Sequence, residues 1–114
     1  MTKDYRDYLD DIINAIKDVE DFTKGMTYED FRSDRKTLLA VFKCIEDIGE
    51  AAKRIPRSFR SKHNNIPWKE MAGMRDKLTH EYDRIDSVIV WRTIQQNLPQ
   101  LKIMLFDIIS ELKE

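Results

Sequence analysis

Apolar side chains recur every third or fourth position from the start of the chain: Tyr5, Leu9, Ile12, Ile13, Ile16, Val19 and Phe22. At 3.6 residues per turn they form one stripe. The spacing predicts a helix from about Asp4 to Thr23, with Gly25 as its stop. A second segment opens at Thr27-Tyr28-Glu29-Asp30, where Thr27 can cap free amides and Asp30 suits the positive end of a first turn. Its core face reads Phe31, Leu38, Phe42, Ile45, Ile48, Ala52 and Ile55. Ser33-Asp34 offers a second cap inside it and so a local break. Pro56 ends it, because proline lacks an amide donor and restricts Ile55.

Arg57 to Ile66, rich in Arg, Ser, Asn and Lys, reads as a connection. Pro67 suits the first position of a third helix, which carries Trp68, Met71, Ala72, Arg75, Leu78 and Thr79. Asp86-Ser87 can cap a last segment that runs towards Leu112. There Trp91, Ile94, Leu98, Leu101, Leu105, Ile108 and Leu112 step by three and four in a heptad-like seam. Pro99 lies inside this seam without shifting its phase, which predicts a kinked helix or two stacked helices sharing a face. The pattern as a whole predicts an all-α fold: an up-and-down bundle of four to five helices in one domain spanning residues 1–114. Its apolar content is generous for thin stripes in so small a domain, so a homodimer that covers part of a helix face is expected.

Composition narrows the class. Of 114 residues 36% are charged, with only three Gly and three Pro, which argues for half-exposed helices and against a β-sandwich or a disordered chain. A single cysteine, Cys44, cannot form an internal disulfide and suits a reducing cytoplasm. No apolar run approaches the roughly 18 residues of a membrane span, and the opening residues are too charged for a secretory signal.

The net charge of −1 hides an uneven distribution. From Ala51 to Lys69 there is no acid, while Lys53, Arg54, Arg57, Arg60, Lys62 and Lys69 are all basic. Such a window can attract a polyanion or can be a solvated basic loop. Gly-rich phosphate loops, paired-Cys zinc patterns and His-Glu-x-x-His helices are absent. His63 and His80 stand 17 apart with no cysteine nearby, so no metal site is expected. Cys44 falls on or near an apolar face and reads as a buried, inert thiol.

One short segment offers chemistry: Arg75-Asp76-Lys77-Leu78-Thr79-His80-Glu81-Tyr82. Histidine titrates near neutrality and can move a proton. Arginine is a permanent, forked cation suited to phosphate oxygens. Tyrosine offers a phenol and a ring on which a base can stack. The structural alternative is that Arg75 and His80 complement a helix dipole and that Tyr82 edges a core. Helix geometry adds a constraint. Arg75 and Tyr82 share a face, whereas His80 would lie about 140° from Arg75. Either the helix ends near His80, or the site is shared between two chains.

Arg-x4-His-x-Tyr resembles the signature of the HEPN superfamily. With its flanks, the chain is similar to the HepT branch, the toxin half of prokaryotic HepT–MntA toxin–antitoxin pairs. Those flanks are Ile48-Gly49-Glu50-Ala51-Ala52-Lys53-Arg54-Ile55-Pro56, Ile66-Pro67-Trp68-Lys69-Glu70-Met71-Ala72-Gly73-Met74-Arg75, and Thr27-Tyr28 followed by Asp34-Arg35. Asp76 stands where the family often has Asn, and its negative charge would weaken the pull of Arg75 on a phosphate.

The resemblance implies a metal-independent endoribonuclease without a cofactor. In it, His80 would be general base or acid and Arg75 would stabilise the phosphorane-like transition state. Asp76, Thr79 and Tyr82 would support them. The site would be composite across a homodimer, and the window from Lys53 to Lys69 would track the RNA backbone. It also implies a partner, an MntA-like nucleotidyltransferase antitoxin on a separate polypeptide, which transfers AMP to Tyr82. The alternative is a non-catalytic helical interaction module partnering such a nucleotidyltransferase.

Overall fold

A computed structural model describes residues 4–79 and 84–112 of the chain. Helix α1 spans Tyr5–Thr23 and starts at a capping box. Asp4 accepts from the backbone of the first turn, and Asp7 reaches back to the Asp4 amide. Leu9, Ile12, Ile13, Ile16 and Val19 are buried on the expected stripe. Gly25 then turns the chain at φ +76°, a region costly for residues with a side chain. Helix α2, Tyr28–Ser33, repeats the capping box with Thr27 and Asp30. Asp34 caps α3, Arg35–Arg54, so the break read at Ser33-Asp34 is real and each cap does its expected work.

Helix α1 packs most extensively against α3, and the pair forms the centre of the core around Leu9, Ile12, Ile16, Ile45 and Ile48. Each such side chain contributes about 1.5–3 kcal/mol through burial. The short helices α4 (Arg57–Lys62), α5 (Trp68–Ala72) and α6 (Met74–Leu78) follow. Helix α5 and then α6 lie against α3. The last run comprises α7 (Ser87–Arg92), a π-helical turn over Thr93–Asn97, and α8 (Leu98–Leu112), which returns along α1.

That last run explains how Pro99 sits inside a helix. In the π turn the Leu98 amide bonds to the carbonyl of Thr93, five residues back. The wider turn lies directly before the proline, where its ring would otherwise crowd the carbonyl four residues earlier. Thr93 adds a bond from its hydroxyl to the Ile89 carbonyl at 2.9 Å, which also favours bending. The seam keeps its phase across this feature. Ile94, Leu98, Leu101, Leu105 and Ile108 are buried, and the partly buried Trp91 ring packs 5.2 Å from Phe31.

Four readings need correction. Arg57–Ile66 is not a plain connection, because α4 forms within it. Its anchor is Phe59, buried between Tyr5 at 4.8 Å and His63 at 4.5 Å. Phe22 is 46% exposed rather than in the core. The inward place in that last turn goes to its neighbour Thr23, whose hydroxyl is satisfied by the Val19 carbonyl at 2.8 Å. The third helix starts one residue late, at Trp68, and is interrupted at Gly73, so it is two short helices. Among the described residues the expected bundle of four to five helices is therefore three long helical runs joined by shorter ones. Among the described residues no helix is long and apolar enough to cross a membrane.

Candidate functional site

Gly73 separates α5 from α6, and α6 presents Arg75 in its first turn. The guanidinium is half-exposed. Its Nε donates to Glu46 Oε2 of α3 at 2.7 Å, and its carbon lies 6.0 Å from the centre of the Phe42 ring. Phe42 and Glu46 are four apart on α3 and so share a face of that helix. Helix α5 comes close to α3 because Gly49 has no side chain. A Cβ there would meet the Met71 carbonyl oxygen at 3.0 Å and that of Ala72 at 3.5 Å. This is the structural reason for the glycine of the Gly-Glu-Ala block.

A cleft of about 480 Å³ opens between α3 and the α5–α6 pair. Arg75, Asp76 and Lys53 line it, together with Lys43, Glu46 and Glu50. Its charge is mixed. Lys53 pairs with Glu50 at 3.2 Å, and Lys43 pairs with Asp47 at 3.2 Å. The hydrogen bond and charge of Asp47 hold the Lys43 ammonium above its ordinary range.

Helix α6 ends at Leu78. Thr79 is extended (φ −115°, ψ 148°) and forms an antiparallel bridge with Ile85, and the Asp86 amide donates to the Leu78 carbonyl at 2.8 Å. Of the two solutions open for the segment, a helix that stops before His80 is present. His80 and Tyr82 themselves lie outside the described residues, as do Glu81 and Asp83. Thr79 is half-buried at the neck closed by its bridge, whereas Asp76 is exposed beside Arg75.

The basic window does not form one stripe. Arg57, Arg60 and Lys69 line a separate cleft of about 880 Å³ between α4 and α5. Lys53 lines the Arg75 cleft. Arg54 lines a third cleft, beside Asp11, Asp18 and Asp47. Lys62 is exposed at the end of α4. His63, inside the segment read as a connection, in fact caps the end of α4 and packs on Phe59. Cys44 is buried, and burial pushes its thiol up, with the charges of Asp18 and Asp47 adding to the shift. Among the described residues no cluster of three or more His, Cys, Asp or Glu could hold a metal ion. Sequence reasoning missed Glu46, the side chain that grips Arg75. The contact spans 29 positions and leaves no local periodicity that could have announced it.

Comparison with known proteins gives a consistent answer. The family model described as "Ribonuclease HepT-like" matches residues 12–108. The chain is 47% identical over 102 residues to "Probable ribonuclease HepT" of Thermococcus cleftensis, covering 90% of this chain and 93% of that protein. It is 43% identical over 112 residues to "Putative RNase MJ0125" of Methanocaldococcus jannaschii, covering 98% and 97% respectively. It is 41% identical over 108 residues to "Putative RNase TTE0752" of Caldanaerobacter subterraneus subsp. tengcongensis, covering 95% and 96%. No solved structure gives a significant match.

Proposed function

Because this chain belongs to the HepT-like ribonuclease family, we propose that it is a metal-independent endoribonuclease that cuts RNA with Arg75 and His80. The supporting observation is the end of α6. The helix that presents Arg75 to a cleft stops at Leu78 and Thr79 is extended, so the unbroken helix that would set position 80 about 140° from Arg75 does not form. In the reaction, His80 takes the proton of a ribose 2′-hydroxyl. The freed O2′ attacks the adjacent phosphorus, and the bond to the 5′-oxygen breaks as that oxygen takes up a proton. Arg75 offsets the charge that builds on the phosphoryl oxygens. The products are a 2′,3′-cyclic phosphate and a 5′-hydroxyl, and DNA is no substrate because it lacks the attacking group.

The protein acts as a homodimer in this reading. Two copies of the motif meet, so that one His80 serves as base and the other as acid. Asp76 and Thr79 orient these groups, and Lys53, Arg54, Arg57, Arg60, Lys62 and Lys69 hold RNA phosphates. The protein is the toxin of a pair. Its antitoxin is an MntA-like nucleotidyltransferase that transfers AMP to Tyr82, adding negative charge and bulk where the substrate phosphate must sit.

The test is to incubate the purified chain with total RNA and map the new ends. Cyclic phosphates and 5′-hydroxyls are expected, together with their loss in a folded His80→Ala protein. RNA left intact by the unsubstituted chain would overturn the assignment. The pairing of Arg75 with Glu46 favours a second reading, in which the arginine is structural and the protein is a non-catalytic helical module bound to the nucleotidyltransferase. A tight complex, no RNA damage and indifference to His80→Ala would support that reading.

A further inference from the structure

The cleft between α4 and α5 lies apart from the Arg75 cleft, and among the described residues the two have no lining residue in common. At about 880 Å³ and open to solvent, it can take a segment of a polymer passing through. Among the described residues, Arg57, Arg60 and Lys69 line it against one carboxylate, Glu70. Asn64 and Asn65 bring side-chain amides that both donate and accept. Arg60 is only partly buried, which leaves part of its side chain open to the cleft it lines.

The walls of this cleft are held firmly. Trp68 is buried and donates from its indole nitrogen to the His63 carbonyl at 3.0 Å. The Phe59 ring packs on His63 and edge-on to Trp68. The Asn-bearing turn is thereby tied at both ends to the aromatic layer beneath it.

From this arrangement we infer that the α4–α5 cleft is a binding subsite for one or two nucleotides of single-stranded RNA outside the scissile bond, with Arg57, Arg60 and Lys69 on the phosphates and Asn64 and Asn65 on a base edge. Cations bind the phosphodiester regardless of sequence, and amides pair with the edge of a base that is not already paired. The inference rests on the ribonuclease reading for its choice of RNA over other polyanions.

The test uses the full chain carrying His80→Ala, which binds without cutting, and a fluorescein-labelled mixed-sequence RNA 12-mer. Fluorescence anisotropy should show binding that Arg57→Ala with Lys69→Gln weakens about tenfold. The slope of log affinity against log salt should fall by roughly 1.4, the value for two lost phosphate contacts on a single strand. Asn64→Ala, at an exposed position, should weaken binding with little change in that slope. Lys36→Gln, on α3, serves as the surface control and should leave affinity unchanged.

Equal affinity in the Arg57/Lys69 variant and its parent would overturn the subsite, as would equally tight binding of a blunt RNA duplex. If poly-glutamate binding depended on these residues while RNA binding did not, the cleft would belong to an acidic polypeptide instead. Cleavage of total RNA by the unsubstituted chain is read separately. A chain that cuts nothing yet binds the 12-mer through these residues keeps the subsite and loses the nuclease assignment.

Discussion

The Nε of Arg75 donates to the Oε2 of Glu46 at 2.7 Å, tying α6 to α3 across 29 positions of sequence. The pair is partly exposed, so its net contribution to stability is about 0.2–1 kcal/mol. Its consequence for orientation is larger, because a guanidinium fixed through Nε presents its remaining donors in a set direction. Arg75→Ala is expected to lower RNA cleavage by about 10²–10³-fold, the usual cost of losing a charge-stabilising donor. Its melting temperature should change little. Glu46→Ala should lower kcat by roughly tenfold with a smaller effect on KM, since a misaimed group costs rate. Glu46→Gln keeps an acceptor for Nε and should recover most of that loss. Cleavage kinetics and thermal melts on the same preparations decide the matter. An Ala variant as active as its parent would remove Glu46 from the site.

The approach of α5 to α3 at Gly49 makes a second prediction. Alanine there gains about 1 kcal/mol in helix propensity. Against this, its Cβ would stand 3.0 Å from the Met71 carbonyl oxygen, a backbone atom that moves only if α5 moves. Overpacking of this kind costs about 1–3 kcal/mol. The net effect expected for Gly49→Ala is destabilisation of up to about 2 kcal/mol, read as a lower urea midpoint. Cleavage should fall as well, because Arg75 follows α5 closely in the chain. A midpoint at or above that of the parent would show that α5 has room to shift.

What the sequence made legible was mostly local. Thr27, Asp34 and Asp86 are caps in the structure because capping is a contact within one turn, visible as residue type and spacing. The seam through Leu98, Leu101 and Leu105 survived Pro99 because its phase could be counted on both sides. Periodicity could not say where α1 stops having a partner, so Phe22 and Thr23 exchanged roles. Helix α4 was missed because one aromatic, Phe59, anchors an otherwise polar stretch. The same limit hid the division of the basic window. Of six cations close in sequence, five are spread by α3, α4 and α5 over three clefts while Lys62 is exposed at the end of α4, and only the fold distributes them. The motif residues His80 and Tyr82 were singled out by sequence alone and lie outside the described residues.

The cap of α3 is sensitive to acid. Asp34 accepts the Thr37 amide at 3.0 Å and the Thr37 hydroxyl at 2.8 Å, and these bonds, the backbone one first, hold its carboxyl below the usual carboxylate range. A carboxyl depressed in the folded state stabilises fully above its unfolded pKa of about 3.9. That contribution is lost as pH falls through the lower, folded value. The melting temperature of Asp34→Ala should therefore lie below that of the parent by a constant margin between pH 7 and about 5. The margin should narrow below about pH 4. A margin independent of pH down to 2 would mean that the ionised carboxyl is not what caps α3.

The modification proposed for Tyr82 has a direct readout in intact mass. Co-expression with a cognate nucleotidyltransferase should add the mass of one AMP per chain and suppress RNA cleavage, because a phosphate placed at the site repels the substrate phosphate. Tyr82→Phe should gain no mass and should stay active in the presence of the partner. A Phe variant that still gains the same mass would move the acceptor to another residue.

A site composed across two subunits differs from a self-contained one in how it responds to dilution with an inactive copy. If one His80 is the base and the other the acid, a dimer needs both to cut. Parent and His80→Ala chains, mixed in equal amounts and allowed to exchange, form dimers of which about a quarter hold two intact copies. Activity per total protein should then fall to about a quarter of the undiluted value, and should follow the square of the intact fraction as the ratio is varied. Independent sites would leave about half and give a straight line. Size-exclusion chromatography with light scattering, run on the same mixtures, verifies that exchange has occurred. A linear dependence under those conditions would mean that each cut needs only one His80, and would remove the division of base and acid between the two copies.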